Sequence, residues 1–176
     1  MADAAVNSIA VFGGSGATGR HVIRKALEQG LRVRALVRPG SPQPDSSAVE
    51  AVVGALLEFE DVLKTLSESN AVCCVFGARP PYTDVFCAAA TRIIIDAMRK
   101  AGVERLVCQT GAMIGDYRTN RTLPFRLMAS AFNSRAPEVA QDRVEQERLV
   151  RESSLKWTIV KPPRLTEEQP LADHLR

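Results

Sequence analysis

The sequence predicts an α/β fold, a doubly wound parallel sheet of six strands in the order 3-2-1-4-5-6. Three observations carry that prediction. Six short apolar runs recur along the 176 residues, several almost continuously apolar, as parallel strands covered on both faces are. Segments with a helical period lie between them, the β-α-β alternation that right-handed crossovers join into one sheet. A glycine-rich turn, GGSGATG at 13–19, directly follows the first run.

SIAVF (8–12) is the first strand. Ala17 to Gln29 follows with a helical period and stops at Gly30, a residue that readily takes the left-handed conformation that ends helices. RVRALV (32–37) and VEAVV (49–53) are the second and third strands, separated by the polar loop RPGSPQPDSS (38–47). AVCCVF (71–76) is the fourth and leads into the loop GARPPYT (77–83). From Asp84 to Lys100, Phe86, Ala89, Ala90, Ile93, Ile94 and Ala97 fall on one stripe, which predicts a helix ending at Gly102. RLVCQT (105–110) is the fifth strand, followed by the loop GAMIGDYRTNRT (111–122). The apolar, arginine-bearing stretch LPFRLMASAF (123–132) reads either as a helix packed on the domain or as a substrate lid. A third helix, about Pro137 to Ser153, opens on Pro-Glu and is heavily charged, which predicts a surface position. KWTIV (156–160) is the last strand, and the chain, 1–176, reads as a single domain.

The hydrophobic fraction of 45% and charged fraction of 24% are those of an ordinary globular protein, long enough to bury a core. A formal net charge of +3, with no aromatic-interleaved basic stripe, argues against nucleic acid as a partner. No apolar run approaches the ~18 residues a membrane span needs. The opening MADAAVNS lacks the basic start of a secretory signal. Cys73, Cys74, Cys87 and Cys108 show neither CxxC nor zinc-ligand spacing. No metal is expected, and the thiols read as small buried hydrophobes in a reducing, cytoplasmic setting.

A strand-to-helix turn needs one glycine, and this one has Gly13, Gly16 and Gly19 at every third position. Between a first strand and a first helix, that arrangement fits the pyrophosphate of a dinucleotide. Gly13 allows the tight turn, Gly16 lets the backbone approach the pyrophosphate, and Gly19 lets the helix pack closely on the strand. The helix start at Ala17 adds N–H groups and a positive dipole end, and Ser15 and Thr18 add hydroxyls. The second strand then ends in LVRPGS, where sheets of this kind that prefer NAD carry an acid for the ribose hydroxyls. Here stands Arg38, with Ser41 close behind and no acid before Asp45. A carboxylate repels a 2′-phosphate, whereas a guanidinium pairs with it through two hydrogen bonds, so the expected cofactor is NADP(H). The competing readings are a purely structural glycine turn and a solvated arginine.

The spacing of GGSGATG, the ALVR end of strand 2, VVG at 52–54, FGAR at 76–79 and VRESSLKWTIVKPPRLTEEQPL at 150–171 together resemble the atypical short-chain dehydrogenase/reductases. The likeness is to the NAD(P)H-binding branch that holds NADPH-dependent flavin reductase/biliverdin-IXβ reductase and NmrA-like proteins. The resemblance implies a Rossmann fold with NADP(H) on the glycine loop and contacts at Gly54 and Gly77. It places Arg79 near both cofactor and substrate, Thr110, Gly111, Pro162 and Pro163 around the nicotinamide, and Arg164 at the substrate. Departures are also visible. Ala55 follows Gly54 where the branch carries an acid that contacts the adenine, and Gly111 stands where its flavin reductases carry serine. On the resemblance, the C-terminal extension usual in the branch is expected to be lacking, which would leave KWTIV at the sheet's edge and predicts either a homodimer through Trp157–Val160, which light scattering can check, or an open, unselective substrate site with modest activity.

Ordinary short-chain dehydrogenases protonate a carbonyl with a tyrosine activated by a lysine four residues later. Tyr82 is followed at that spacing by Phe86, and Tyr117 by Arg121. His21 and His174 form no set with a nucleophile or an acid. The expected activity is therefore hydride transfer from NADPH to a small flavin-like or other conjugated acceptor, for which solvent supplies the proton. The alternative is a non-catalytic NADP(H)-binding sensor or interaction protein of NmrA-like type. Arg118, Arg121, Arg126 and Arg135 read either as an attractive rim for anionic acceptors or as a solvated surface.

Overall fold

In the computed structural model, which describes residues 6–41, 44, 46–115 and 122–162, the six expected strands form one parallel sheet. They are β1 (Ser8–Phe12), β2 (Arg32–Val37), β3 (Val49–Val53), β4 (Ala71–Cys74), β5 (Arg105–Gln109) and β6 (Lys156–Val160), in the expected order β3-β2-β1-β4-β5-β6. The helices are α1 (Ala17–Glu28), α2 (Phe59–Leu66), α3 (Cys87–Ala101), α4 (Leu123–Arg135) and α5 (Pro137–Glu152).

Alternation inside β1 lets one strand serve two layers. Ile9 and Val11 pack with Ile23 and Ala26 of α1 and with Val33 and Ala35 of β2. Ala10 and Phe12 point the other way, into a larger cluster with Val62 and Leu66 of α2, Ile94 and Met98 of α3, and Val150 of α5. Each large side chain buried there is worth about 1.5–3 kcal/mol, so this second cluster is the main core.

Helix α2 is an element the sequence analysis leaves unassigned. Phe59, Val62, Leu63 and Leu66 follow the i, i+3, i+4, i+7 period, but over two turns only. Helix α3 begins at Cys87 rather than Asp84, because its first amides are capped from elsewhere. The N–H groups of Cys87 and Ala88 donate to the Asp142 carboxylate of α5 at 2.8 and 2.9 Å. The stretch LPFRLMASAF is a helix, α4, which buries Ala129 and leaves Leu123, Leu127 and Met128 exposed. Helix α5 forms as expected but is more than a surface helix. Asp142, Gln146 and Glu147 are buried on it, each with a partner on another element. At the sheet edge, four of the five β6 residues are exposed.

Burial pushes the thiols of Cys73, Cys74 and Cys87 up, that of Cys87 to about 11, so they act as neutral packing groups. Among the described residues no group of side chains could hold a metal ion, and no helix is long and apolar enough to cross a membrane.

Candidate functional site

The carboxyl ends of β1, β2 and β4 meet around the glycine turn. Gly13 has φ +93°, and a Cβ there would lie 2.7 Å from the backbone N of Phe76, so turn and close approach both demand glycine. The N–H of Gly16 donates to the Gly13 carbonyl at 3.1 Å and closes the turn. A Cβ on Gly19 would lie 2.2 Å from the Gly13 oxygen, so this glycine is what lets α1 pack against the strand end. Gly16 itself caps α1 in an extended conformation with no side-chain hydrogen bond. Among the described residues the first amides of α1, those of Ala17, Thr18 and Gly19, therefore have no side-chain acceptor, as an anion site at a helix start requires.

Arg79 comes to the same place from the other strand. Its Nη2 lies 3.6 Å from where a Cβ on Gly16 would be. The side chain is exposed and has no ion-pair partner among the described residues. Open amides and a guanidinium on one spot suit a diphosphate.

At the end of β2, Arg38 is exposed, and its carbonyl accepts from the N–H of Ser41 at 3.0 Å in a turn that includes Gly40 at φ +76°. A cavity of about 670 Å³ runs from Gly14 and Ser15 along α1 to Val37, Pro44 and Ser46, with Arg20, His21 and Arg24 on its wall. Arg20 donates to the Ser15 carbonyl at 2.9 Å, holding the turn from the helix side. Sequence reasoning missed Arg20, although its place directly after the third glycine was a usable signal. His21 is exposed and contacts Arg24, while His174 lies outside the described residues.

Gly54 follows β3, and a Cβ there would collide with the Asp61 carboxylate at 2.5 Å. The N–H of Ala55 donates to Asp61 Oδ2 at 2.8 Å, so α2 brings an acid to the corner where Ala55 lacks one. Gly77, after β4, is covered by Arg143 of α5, whose Nη2 would meet a Cβ there at 2.5 Å.

Beyond β5, Thr110 is buried, and its hydroxyl donates to Glu147 Oε1 at 2.8 Å. Glu147 also pairs with Lys161 at 2.8 Å, and the Lys161 ammonium donates to the Ile114 carbonyl at 2.6 Å. This clamp binds the ends of β5 and β6 to α5 and to the turn after Gly111. Among the described residues a Cβ on Gly111 would meet Ile114 alone, at 3.7 Å, and the Pro162 carbonyl accepts from the N–H of Ala112 at 3.2 Å. Pro163, Arg164, Tyr117, Arg118 and Arg121 lie outside the described residues. Tyr82 packs edge-on against Phe132 of α4 with ring centroids 5.3 Å apart, which joins the loop after β4 to α4. The residues therefore fall into two groups: the glycine turn with Arg79, beside the end of β2 that Arg38 follows, and the β5–β6 end with Thr110, Gly111 and Pro162.

A family model described as NAD(P)H-binding matches residues 13–175. An uncharacterised chloroplastic protein of Arabidopsis thaliana is 28% identical over 183 residues, with 96% of this chain and 64% of that protein covered. The chain thus spans less than two thirds of that relative. Among solved structures, a short-chain dehydrogenase/reductase of Veillonella parvula in complex with NADP superposes with a TM-score of 0.72 at 14% identity, covering 89% of this chain and 69% of that one. An anaerobillin reductase of Escherichia coli O157:H7 gives 0.69 at 19% identity, over 88% and 72% of the two chains. An enzyme of Bordetella bronchiseptica in complex with NAD+ gives 0.69 at 15% identity, over 89% and 56%. At these identities the likeness speaks to the fold.

Proposed function

The chain belongs to the NAD(P)H-binding family, and on that premise we propose that it is an NADPH-dependent oxidoreductase whose acceptor is a flavin or another conjugated molecule. The observation that carries this reading is the open start of α1 facing the Arg79 guanidinium across Gly16. The described residues fit a dinucleotide: the glycine turn with Arg79 would hold its diphosphate, and Arg38 its 2′-phosphate. When bound, the dinucleotide supplies a hydride. Tyr82 and Phe132, with exposed Leu127 and Met128 on α4, offer an apolar rim suited to a flat ring. Oxidation of NADPH over a panel of FMN, quinones and biliverdin tests the reading, and steady turnover of one acceptor is the expected result.

A second reading, an NADP(H)-binding sensor, draws on Thr110. Its hydroxyl already donates to Glu147 and is not free to serve a carbonyl. NADPH binding without turnover of any acceptor would favour that reading.

Cofactor choice is tested separately. NADPH should bind more tightly than NADH, and Arg38→Ala should remove most of the difference. One charge-assisted pair is worth ~1.5–3 kcal/mol, or roughly tenfold to over a hundredfold in affinity. Equal affinities for the two dinucleotides in the unmodified protein would overturn this assignment.

A further inference from the structure

Helix α4 turns an apolar stripe outward. Its inner face is already packed: Ala129 is fully buried, and Phe125 and Phe132 are half-buried. The Asn133 amide donates to the carbonyls of Ala129 and Met113 at 2.6 and 3.2 Å, which pins the helix to the turn after β5. At about 3.6 residues per turn, Leu123 and Leu127 lie one above the other and roughly opposite Ala129. They are 65% and 64% exposed, with Met128 beside them at 51%. A single exposed leucine needs no explanation, but three large apolar side chains on one face between positions 123 and 128 form a patch.

The charge around this patch has one sign. Arg126 flanks the stripe on one side and Arg135 on the other, both exposed and both without an ion-pair partner among the described residues. In the sequence no acid occurs between Asp116 and Glu138, a span that holds four arginines. Elsewhere the surface is neutralised locally: Arg24, Arg32, Arg34, Arg92, Arg99 and Arg148 each have a carboxylate within 3.4 Å. An apolar stripe bordered by uncompensated cations matches an anionic bilayer, in which leucines enter the acyl boundary while guanidinium groups stay at the level of the phosphates. A second copy matches it less well, because a two-fold contact between α4 faces would bring the arginines of both copies together.

We propose that α4 is a peripheral docking site for an anionic lipid surface. Leu123, Leu127 and Met128 enter the boundary between headgroups and acyl chains, and Arg126 and Arg135 pair with lipid phosphates. The helix lies along the surface without crossing it, in keeping with the absence, among the described residues, of a helix long and apolar enough to span a membrane. Docking requires no hydride transfer and stands independently of the oxidoreductase reading.

The test sediments the purified protein with vesicles of phosphatidylcholine alone and with vesicles of equal parts phosphatidylcholine and phosphatidylglycerol. The protein should bind the mixed vesicles, and raising the salt should weaken that binding. Arg126→Gln should lower the partition coefficient about fivefold, the worth of one basic side chain near an anionic surface. Leu123→Gln should lower it about tenfold or more, since an inserted leucine is lost. Both side chains are exposed, so both variants should melt near the parent. No binding of the parent to mixed vesicles, equal binding to phosphatidylcholine alone, or binding that neither substitution weakens would each overturn the assignment. Light scattering decides the remaining alternative: a parent dimer that Leu123→Gln dissociates would make α4 an interface between copies and would also overturn it.

Discussion

A Gly16→Val variant is expected to lose NADPH binding, by a hundredfold or more, about 2.7 kcal/mol, with an unchanged circular dichroism spectrum. A side chain here asks the Gly13 oxygen to give by a few tenths of an ångström, far less than at Gly13 or Gly19. Gly16 has φ −73° and ψ 164°, extended backbone open to any residue, and among the described residues a Cβ would meet the Gly13 oxygen at 3.3 Å and Arg79 Nη2 at 3.6 Å. A branched side chain would instead fill the space over the first turn of α1 and push aside the Arg79 guanidinium. The amides would remain but their ligand could no longer reach them. A Gly19→Ala variant makes the contrast: its Cβ would lie 2.2 Å from a backbone oxygen, so it should damage the fold itself. Undiminished titration of Gly16→Val with NADPH would show that the dinucleotide lies elsewhere.

Among substitutions that leave the backbone undisturbed, the largest expected effect on stability belongs to Glu147→Ala. Glu147 is 5% exposed and takes both the Thr110 hydroxyl and the Lys161 ammonium, with Arg151 Nη2 at 3.7 Å. Removing one partner of a buried ion pair typically costs about 3–5 kcal/mol, because the other charge stays behind in a poor solvent. The Lys161 side chain is 24% exposed and recovers some hydration, so the cost should fall near 3 kcal/mol. For a chain of this size that corresponds to roughly 6–12 °C in the thermal midpoint. Glu147→Gln keeps an acceptor for Thr110 and should lose less. A thermal midpoint for Glu147→Ala equal to that of the parent would mean that the clamp contributes nothing to stability.

These two residues also mark what could be read along the chain. Gly16 belongs to a seven-residue pattern whose meaning is local, since a turn, an approach and a packing contact all occur between residues adjacent in sequence. The place of Arg38 directly after β2 was legible for the same reason, since the apolar run of that strand ends in plain view. Glu147 was not: in the sequence it is one charge among many on a helix expected at the surface. Its partners Thr110 and Lys161 lie 37 residues before it and 14 after it.

By itself the sequence determined the six strands, their order through right-handed crossovers, and the glycine turn between the first strand and the first helix. Period, turn chemistry and strand length are short-range properties, and each is written in consecutive residues. Only the tertiary structure decided that α3 starts at Cys87, where Asp142 reaches its amides from 55 and 54 residues away. It alone brought Asp61 under Gly54, Arg143 under Gly77 and Glu147 between two strand ends. A buried polar side chain is identified by the partner that satisfies it, and here those partners come from other elements that chain folding carries to the same place.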